Sequence, residues 1–578
     1  MAVAGSAVGL GNFLRFPGQA AQYGGGAFMI AYFISLLLIG IPICWVEWTL
    51  GRHGGQRGFH SSPGIIGYLI KHPCGRYIGV LGVIVPVVIY MYYVYIEAWC
   101  LGYAVNFITG NLDLKQSGDT VSALVPKYGD FFSHFVGSAE DGAAVGFSIK
   151  QVGVYLGIVF LLNFVLIYRG LSKGIEWFCK YAMPALVVLA IVVLVRVLTL
   201  GAPDANNPHQ NISNGLGYMW NPTQVVIQEK GTTKSGKEIW NDQRVLVSQE
   251  ELVSGQNEAA ASEGKLRIKK LSMWDQLAKP MLWLAAAGQI FFSLSVGFGV
   301  IITYASYLRQ SDDVVLSGLS ASLANEFCEV ALGGLISLPA AYVFLGAVGI
   351  VGQGTFGLGF NVLPLVFSQM PAGNLFGAAF FFLLFLAAVT SSLSMLQPGI
   401  AFLEEALPIN RKQSVALLGL ITSLGCIFIV YVSRDLKALD TIDFWVGTFL
   451  LFVLATIQVI IFGWVLGVEK GFAEMHQGAE LRLPGFVKVL LKYISPAYLL
   501  VIFTMFILVN VIGYNFKTGE FEPAGYIVDL IGSKDTPPNN AARLSVALIG
   551  VTILFLMILI AGSKSRFAPK TKAEKEVL

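Results

Sequence analysis

The chain opens with Met1-Ala-Val-Ala-Gly-Ser-Ala-Val-Gly-Leu-Gly-Asn-Phe-Leu-Arg-Phe-Pro17, an apolar, helix-compatible run interrupted by Gly5, Gly9 and Gly11. Each glycine costs a helix about 1 kcal/mol relative to alanine. Inside a bilayer the freed N–H and C=O groups are tolerated only where they line a polar cavity or hold a ligand. The second half repeats the device: Ser293-Leu-Ser-Val-Gly-Phe-Gly299 interrupts the uncharged segment 281–308, so Val8-Gly9-Leu10-Gly11 and Val296-Gly297-Phe298-Gly299 correspond. Two broken helices, one in each half, are expected. Such a pair points to the substrate site of a secondary transporter built from inverted repeats.

The rest of the chain supplies the membrane context. At 578 residues, 55% hydrophobic and 13% charged, it is a polytopic membrane protein. A spanning helix needs about 20 mainly apolar residues, and candidates lie at 18–46, 77–112, 151–168, 181–200, 281–308, 414–433, 444–468, 493–516 and 544–562. The stretch 330–403 carries no charge and is too long for two simple spans; Gly352, Gly354, Pro364, Pro371 and Gly373 predict a loop or short helices within it. Twelve spans are expected, the first incomplete. Lys and Arg concentrate in the loops that are internal if both ends are cytoplasmic. The tail 564–575 is then a solvated cytoplasmic end, in a multi-pass protein of the plasma (inner) membrane.

Between 201 and 280 the composition turns polar and charged, which predicts an extracellular loop. Its inserted part lies at about 223–277, where Val225-Val-Ile-Gln228 and Arg244-Val-Leu-Val-Ser248 suggest a small hairpin. The expected divisions are 1–200, the loop 201–280, 281–468 and 469–578. Six cysteines show neither CxxC spacing nor a pair in one outer loop, so no disulfide framework or zinc site is indicated. There is no HExxH and no serine–histidine pairing within a span, which argues against an intramembrane enzyme.

Residues 4–17 and 289–307 resemble transmembrane helices 1 and 6 of the neurotransmitter:sodium symporter family, most closely its bacterial amino-acid transporters; that family is itself a standing example of the inverted-repeat architecture. The resemblance runs from the first residue to about residue 560, the inserted loop excepted. It implies an all-α polytopic membrane protein with inverted five-helix repeats (helices 1–5 and 6–10), broken helices 1 and 6, and two further helices. It also implies two Na⁺ sites. The first uses the Ala7 carbonyl, Asn12, Ser293 and Asn325, completed by the substrate carboxylate. The second uses the Gly5, Val8 and Ala387 carbonyls and the hydroxyls of Thr390 and Ser391. Hard cations take such oxygen ligands. Taken alone, Thr390-Ser-Ser392 in an apolar helix reads as hydroxyls bonding their own i−4 carbonyls.

By the same resemblance, the substrate pocket is bounded by Ser6, Ala7, Leu10, Gly11, Ile89, Tyr93, Phe292, Ser293, Ser295, Phe298, Ser391 and Met395. Ser6 and Ser293 replace an asparagine and a threonine of the bacterial relatives. Amine-transporting members carry an aspartate where this chain has Gly9, so here the substrate brings its own carboxylate. Ile89, Phe298 and Met395 make the side-chain end apolar, which favours a neutral hydrophobic or aromatic amino acid. Arg15 and Asp443 match the extracellular gate pair, with Gln289 and the Phe292 ring between them. Ser306, Tyr307 and Glu405 match partners of the inner gate. Glu329 stands where chloride-dependent relatives have serine, so its charge is expected to replace the anion beside Tyr32, Gln289 and Ser293, with Glu326 as the competing carboxylate.

The expected activity is therefore sodium-coupled, chloride-independent symport of a neutral amino acid by alternating access. The alternative is a transporter-like receptor that binds without moving its ligand. The partners are the amino acid, Na⁺ and the lipid bilayer, with no nucleic acid; the oligomeric state does not follow. Only four residues precede Gly5, and a first span needs about 20. The expectation is a truncated first helix, with about 15 or more residues encoded upstream in frame.

Overall fold

The computed structural model describes residues 2–116, 120–203 and 207–563; the basic tail expected at 564–575 lies outside the described residues. Among the described residues, nine helices are long and apolar enough to cross a membrane. With Val152–Tyr168 and two broken segments, they supply the twelve passes expected. The first broken segment is Ala2–Ala7 followed by a π-helical turn Gly11–Arg15 and Phe16–Gln22; the second is Pro280–Leu294 followed by Val300–Ala305.

The centre of the bundle is a pair of long helices, Leu81–Ile108 and Gly373–Ala406, packed along each other and buried over most of their length. Gly373–Ala406 is uncharged up to Leu403 and ends where Leu407 turns extended (φ −120°, ψ 154°). The next residue is Pro408, whose ring drives its predecessor out of helical conformation. The following helix, Arg411–Tyr431, starts on an Asn410/Gln413 capping box. Outer helices leave Leu424, Val551 and Leu554 exposed. Such surfaces are stable against lipid, which is as apolar as the side chains. In the charge-free stretch, Gly354–Phe356, Gly357–Val362 and Leu363–Ser368 form the short helices expected between the two spans.

The loop hairpin is present and larger than expected. Strands β1 (Gln224–Thr232), β2 (Glu238–Leu246) and β3 (Leu266–Leu271) form an antiparallel sheet in the order β2-β1-β3, with Val225 opposite Leu246 and Val226 opposite Lys269. A helix, Gln249–Ala261, joins β2 to β3 on a Ser248/Glu251 capping box.

The two glycine breaks work by different physics. In the second, Ser295 (φ 53°), Gly297 (φ 77°) and Gly299 (φ 80°) take left-handed backbone, the region that only glycine enters freely. A Cβ on Gly299 would also stand 2.2 Å from the Gly82 carbonyl oxygen. In the first, the glycines allow close approach: a Cβ on Gly9 would lie 2.8 Å from Ser391 Oγ, and one on Gly11 2.8 Å from the Phe292 ring. Gly299→Ala is therefore expected to destabilise the protein by about 2 kcal/mol or more. Gly288→Ala, in the helical part of the same segment with open space at its Cβ, should be neutral or stabilising by up to about 1 kcal/mol. Thermal unfolding of the two variants side by side checks this.

Candidate functional site

The backbone break around Val8 and Gly9 is closed by a side chain. Gly9 N–H donates to Asn12 Oδ1 at 2.8 Å, and Asn12 Nδ2 donates across to Asn325 Oδ1 at 2.8 Å. Asn325 Nδ2 in turn donates to Ser293 Oγ at 2.6 Å and to Glu329 Oε2 at 3.2 Å. Gln289 Nε2 donates to Glu329 Oε1 at 2.6 Å, and the Ser293 hydroxyl donates to Glu329 Oε2. One network thus ties both broken segments to the helical run that carries Asn325 and Glu329, and all five side chains are fully or almost fully buried.

Every donor to Glu329 in this network is neutral. No Lys or Arg forms an ion pair with Glu329 or with Glu326 among the described residues. Tyr32 stands beside both carboxylates: its hydroxyl donates to Glu326 Oε2 at 2.8 Å, and its side chain also interacts with Glu329, while Glu326 Oε1 has no hydrogen-bond partner among the described residues. A buried carboxylate with only neutral donors is costly unless a cation or a proton accompanies it.

Ser6, Ala7, Leu10, Gly11, Tyr93, Phe292, Ser295, Phe298, Ser391 and Met395 surround one cavity, together with Gly9 and Asn12. Ile89 is buried one turn from Tyr93 but does not line it, and Ser293 lies behind it in the carboxylate network. Leu10 N–H donates to Tyr93 Oη at 3.4 Å. The Ser6 carbonyl accepts from Ser295 Oγ at 2.9 Å and Ser391 Oγ at 3.4 Å. The free space is about 10 Å³, room for about one water. A molecule the size of an amino acid would fit only if these walls moved apart.

Gly5 faces Thr390, whose Cβ would be 3.2 Å from an added methyl. Thr390 Oγ1 donates to the Leu386 and Ala387 carbonyls at 3.2 and 3.0 Å, the intrahelical bonding that the apolar context predicts. Its lone pairs stay free as acceptors.

On one side of the cavity Arg15 lies 4.5 Å over the Phe292 ring, a cation–π contact. Arg15 and Asp443 do not form an ion pair. Asp443 Oδ1 instead accepts from Tyr92 Oη at 2.5 Å. Gln289 is turned toward Glu329 and does not bridge the two. In the aromatic run 89–96 no local signal separates Tyr92 from Tyr90, Tyr93 or Tyr95.

On the opposite side, Ser306, Tyr307 and Glu405 are gathered by one loop. His60 stacks on Tyr307 with centroids 4.6 Å apart and its Nδ1 lies 3.0 Å from Ser306 Oγ. Glu405 accepts from the His60 and Ser61 N–H groups and the Ser61 hydroxyl. Gln397 joins Tyr307 to Arg411 through bonds of 3.1 and 3.0 Å. His60 and Ser61 carry no local motif, and only tertiary contact reveals them. Below them the buried Arg52 guanidinium donates to the Asp312 and Gln477 carbonyls at 2.6 and 2.8 Å, and lies 3.5 Å from Glu474.

The model of the sodium:neurotransmitter symporter family matches residues 1–222 and 223–528. The chain belongs to that family. It is similar to an uncharacterized sodium-dependent transporter of Methanocaldococcus jannaschii, 27% identical over 519 residues that cover 86% of this chain and 87% of the relative. The sodium-dependent serotonin transporter of Drosophila melanogaster is 24% identical, over 90% of this chain and 76% of its own. Among solved structures, MhsT in complex with L-phenylalanine matches with a TM-score of 0.65 at 26% identity, covering 87% of this chain and 96% of that one. This symporter is not an enzyme, and its family is sodium-dependent.

Glu474 lies outside the membrane-spanning segments and gives a pH test. Burial pushes its carboxyl up, but the hydrogen bond and charge of His53, with Arg52 and Arg57, pull it further down, to a value below its ordinary one. A depressed carboxyl contributes stability above its unfolded value of about 4.3, and that contribution is lost as pH falls through the folded value. Glu474→Gln should therefore melt below wild type at pH 7, with the gap narrowing as pH falls below about 4. Thermal unfolding across that range checks it.

Proposed function

We propose that this chain couples Na⁺ entry to the uptake of a neutral, hydrophobic or aromatic amino acid by alternating access, without a chloride requirement. The observation that carries the reading is the buried pair Glu329 and Glu326, which has no basic partner among the described residues, next to a ring of neutral oxygens from both broken segments. A cation is the missing charge, and hydroxyl, amide and carbonyl oxygens suit sodium.

Two ion sites are proposed. In the first, the Ala7 carbonyl, Asn12, Ser293 and Asn325 would hold one Na⁺, with the substrate carboxylate as a further ligand. In the second, the Gly5, Val8 and Ala387 carbonyls with Thr390 and Ser391 would hold another. Support comes from the Asn12–Asn325–Ser293 cluster and from the contact of Gly5 with Thr390. Because Gly9 carries no side chain and packs on Ser391, this part of the cavity has no carboxylate of its own. A zwitterionic substrate would supply it, with Tyr93 Oη as a donor. Phe292, Phe298 and Met395 form the apolar end; that MhsT was solved with L-phenylalanine supports this substrate class. Arg15 over Phe292 and the His60–Tyr307 stack are the proposed outer and inner closures, Glu405 anchoring the loop of the latter.

Purified protein in vesicles tests the proposal. Uptake and counterflow of labelled L-phenylalanine or L-leucine should require Na⁺, and Asn12→Ala, Asn325→Ala or Thr390→Ala should each weaken Na⁺-dependent binding about tenfold or more, about 1.4 kcal/mol. Equal binding in Na⁺ and choline removes the sodium sites; binding without counterflow supports a receptor instead. Glu329→Ser should convert chloride-independent uptake to chloride-dependent uptake. A wild-type chloride requirement overturns that assignment.

A further inference from the structure

The spans Arg434–Val465 and Phe486–Ile512 have neighbouring ends on the membrane face that holds Arg52 and Glu474. There the Trp464 indole N–H donates to the Lys492 carbonyl at 3.2 Å, and the Trp464 and Tyr493 rings meet edge to face at 5.7 Å. The Lys492 ammonium lies 5.2 Å from the centroid of each ring, so one cation rests in a cradle of two aromatic faces. Both rings are exposed, and exposed Val465, Val489, Ile494 and Val501 continue the surface along the two spans. Aromatic rings above an apolar flank mark the level of the lipid headgroups, and a lysine on such a flank carries its ammonium out to that level.

Lys492 forms no ion pair among the described residues, and the acids of the stretch 464–494 are committed elsewhere. Glu469 pairs with Lys488 at 2.5 Å. Glu474 turns inward to Arg52 and His53, at 3.5 and 3.2 Å. Glu480 lies in a loop tied to Asp313, whose carboxylate accepts from the Glu480 N–H at 2.7 Å. The other charged residues of the stretch, Lys470 and Arg482, are basic. A lipid phosphate is the complementary charge at this level of the membrane. A choline or ethanolamine headgroup brings a cation of its own, and the aromatic faces that would receive it are taken by Lys492; an anionic phosphodiester brings none.

We propose that Trp464, Lys492 and Tyr493 form a headgroup site for one anionic phospholipid of the phosphatidylglycerol type, its phosphodiester on the Lys492 ammonium and its acyl chains along Val465, Ile494 and Val501. Ile494 and Val501 are seven residues apart, two turns of one helix face. None of these residues lines the central cavity.

Native mass spectrometry of the full chain, delipidated in detergent and titrated with dioleoyl phosphatidylglycerol or dioleoyl phosphatidylcholine, tests this. One phosphatidylglycerol per chain is expected to bind about fivefold or more tighter than phosphatidylcholine. Lys492→Ala should bring the two lipids to equal affinity, Lys492→Arg should keep the preference, and Trp464→Ala, which opens the cradle, should reduce it. Lys173→Ala, an exposed lysine of the turn Leu171–Glu176, should leave it unchanged. Folded ions are resolved by their low charge states, so a less stable variant still reports its lipid affinity. Equal affinity of the wild type for both lipids, an unchanged preference in Lys492→Ala, or an equal loss in Lys173→Ala, which would mean diffuse surface charge, overturns the assignment.

Discussion

Everything near the middle of this bundle depends on a carboxylate that has hydrogen bonds but, among the described residues, no counter-charge. Glu329 accepts hydrogen bonds from the amides of Gln289, Asn325 and Asn12 and from the Ser293 hydroxyl, on three separate elements, which orients it without neutralising it. Neutral donors stabilise a charge less than a formal cation does, and the low dielectric of a membrane interior magnifies the difference. A small cation beside it would supply the missing charge. The same bonds hold both broken segments in register.

The helix breaks make that set possible. In the first segment, glycines bring backbone against Ser391 and Phe292; in the second, they permit left-handed turns against Gly82. Asn12 then occupies a backbone N–H that would otherwise be orphaned, and in the membrane an orphaned amide costs several kcal/mol, of the order of 2 to 7. The central cavity that results is too small for an amino acid as it stands. A ligand of that size would fit only with the walls moved apart, as in transporters whose binding site lies between moving halves.

The two sides of the cavity are packed by different means. At one end a guanidinium rests on an aromatic face while Asp443 is engaged by Tyr92, so the proposed charge pair is separated. At the other, a loop threads between elements and is held by Glu405, with His60 stacked on Tyr307. The inserted sheet lies across the start of the second broken segment, where Lys279 ties it to Asp242.

By themselves, the residues determine the membrane class, the number of passes and both breaks, because hydropathy and glycine placement are local properties that bilayer physics converts into helices and interruptions; most of the cavity wall is implied only by the family resemblance. The family resemblance placed Asn12, Asn325, Ser293 and Glu329 in one region. Tertiary structure alone decides that the Tyr32 hydroxyl donates to Glu326, that Tyr92 rather than Arg15 holds Asp443, and that His60 and Ser61 gather Ser306, Tyr307 and Glu405. It also adds β3 to the expected hairpin. Hydrogen-bond partners far apart in sequence leave no periodic trace, since a single polar side chain in an apolar helix reads the same whether it faces its own carbonyl, a neighbour or an ion.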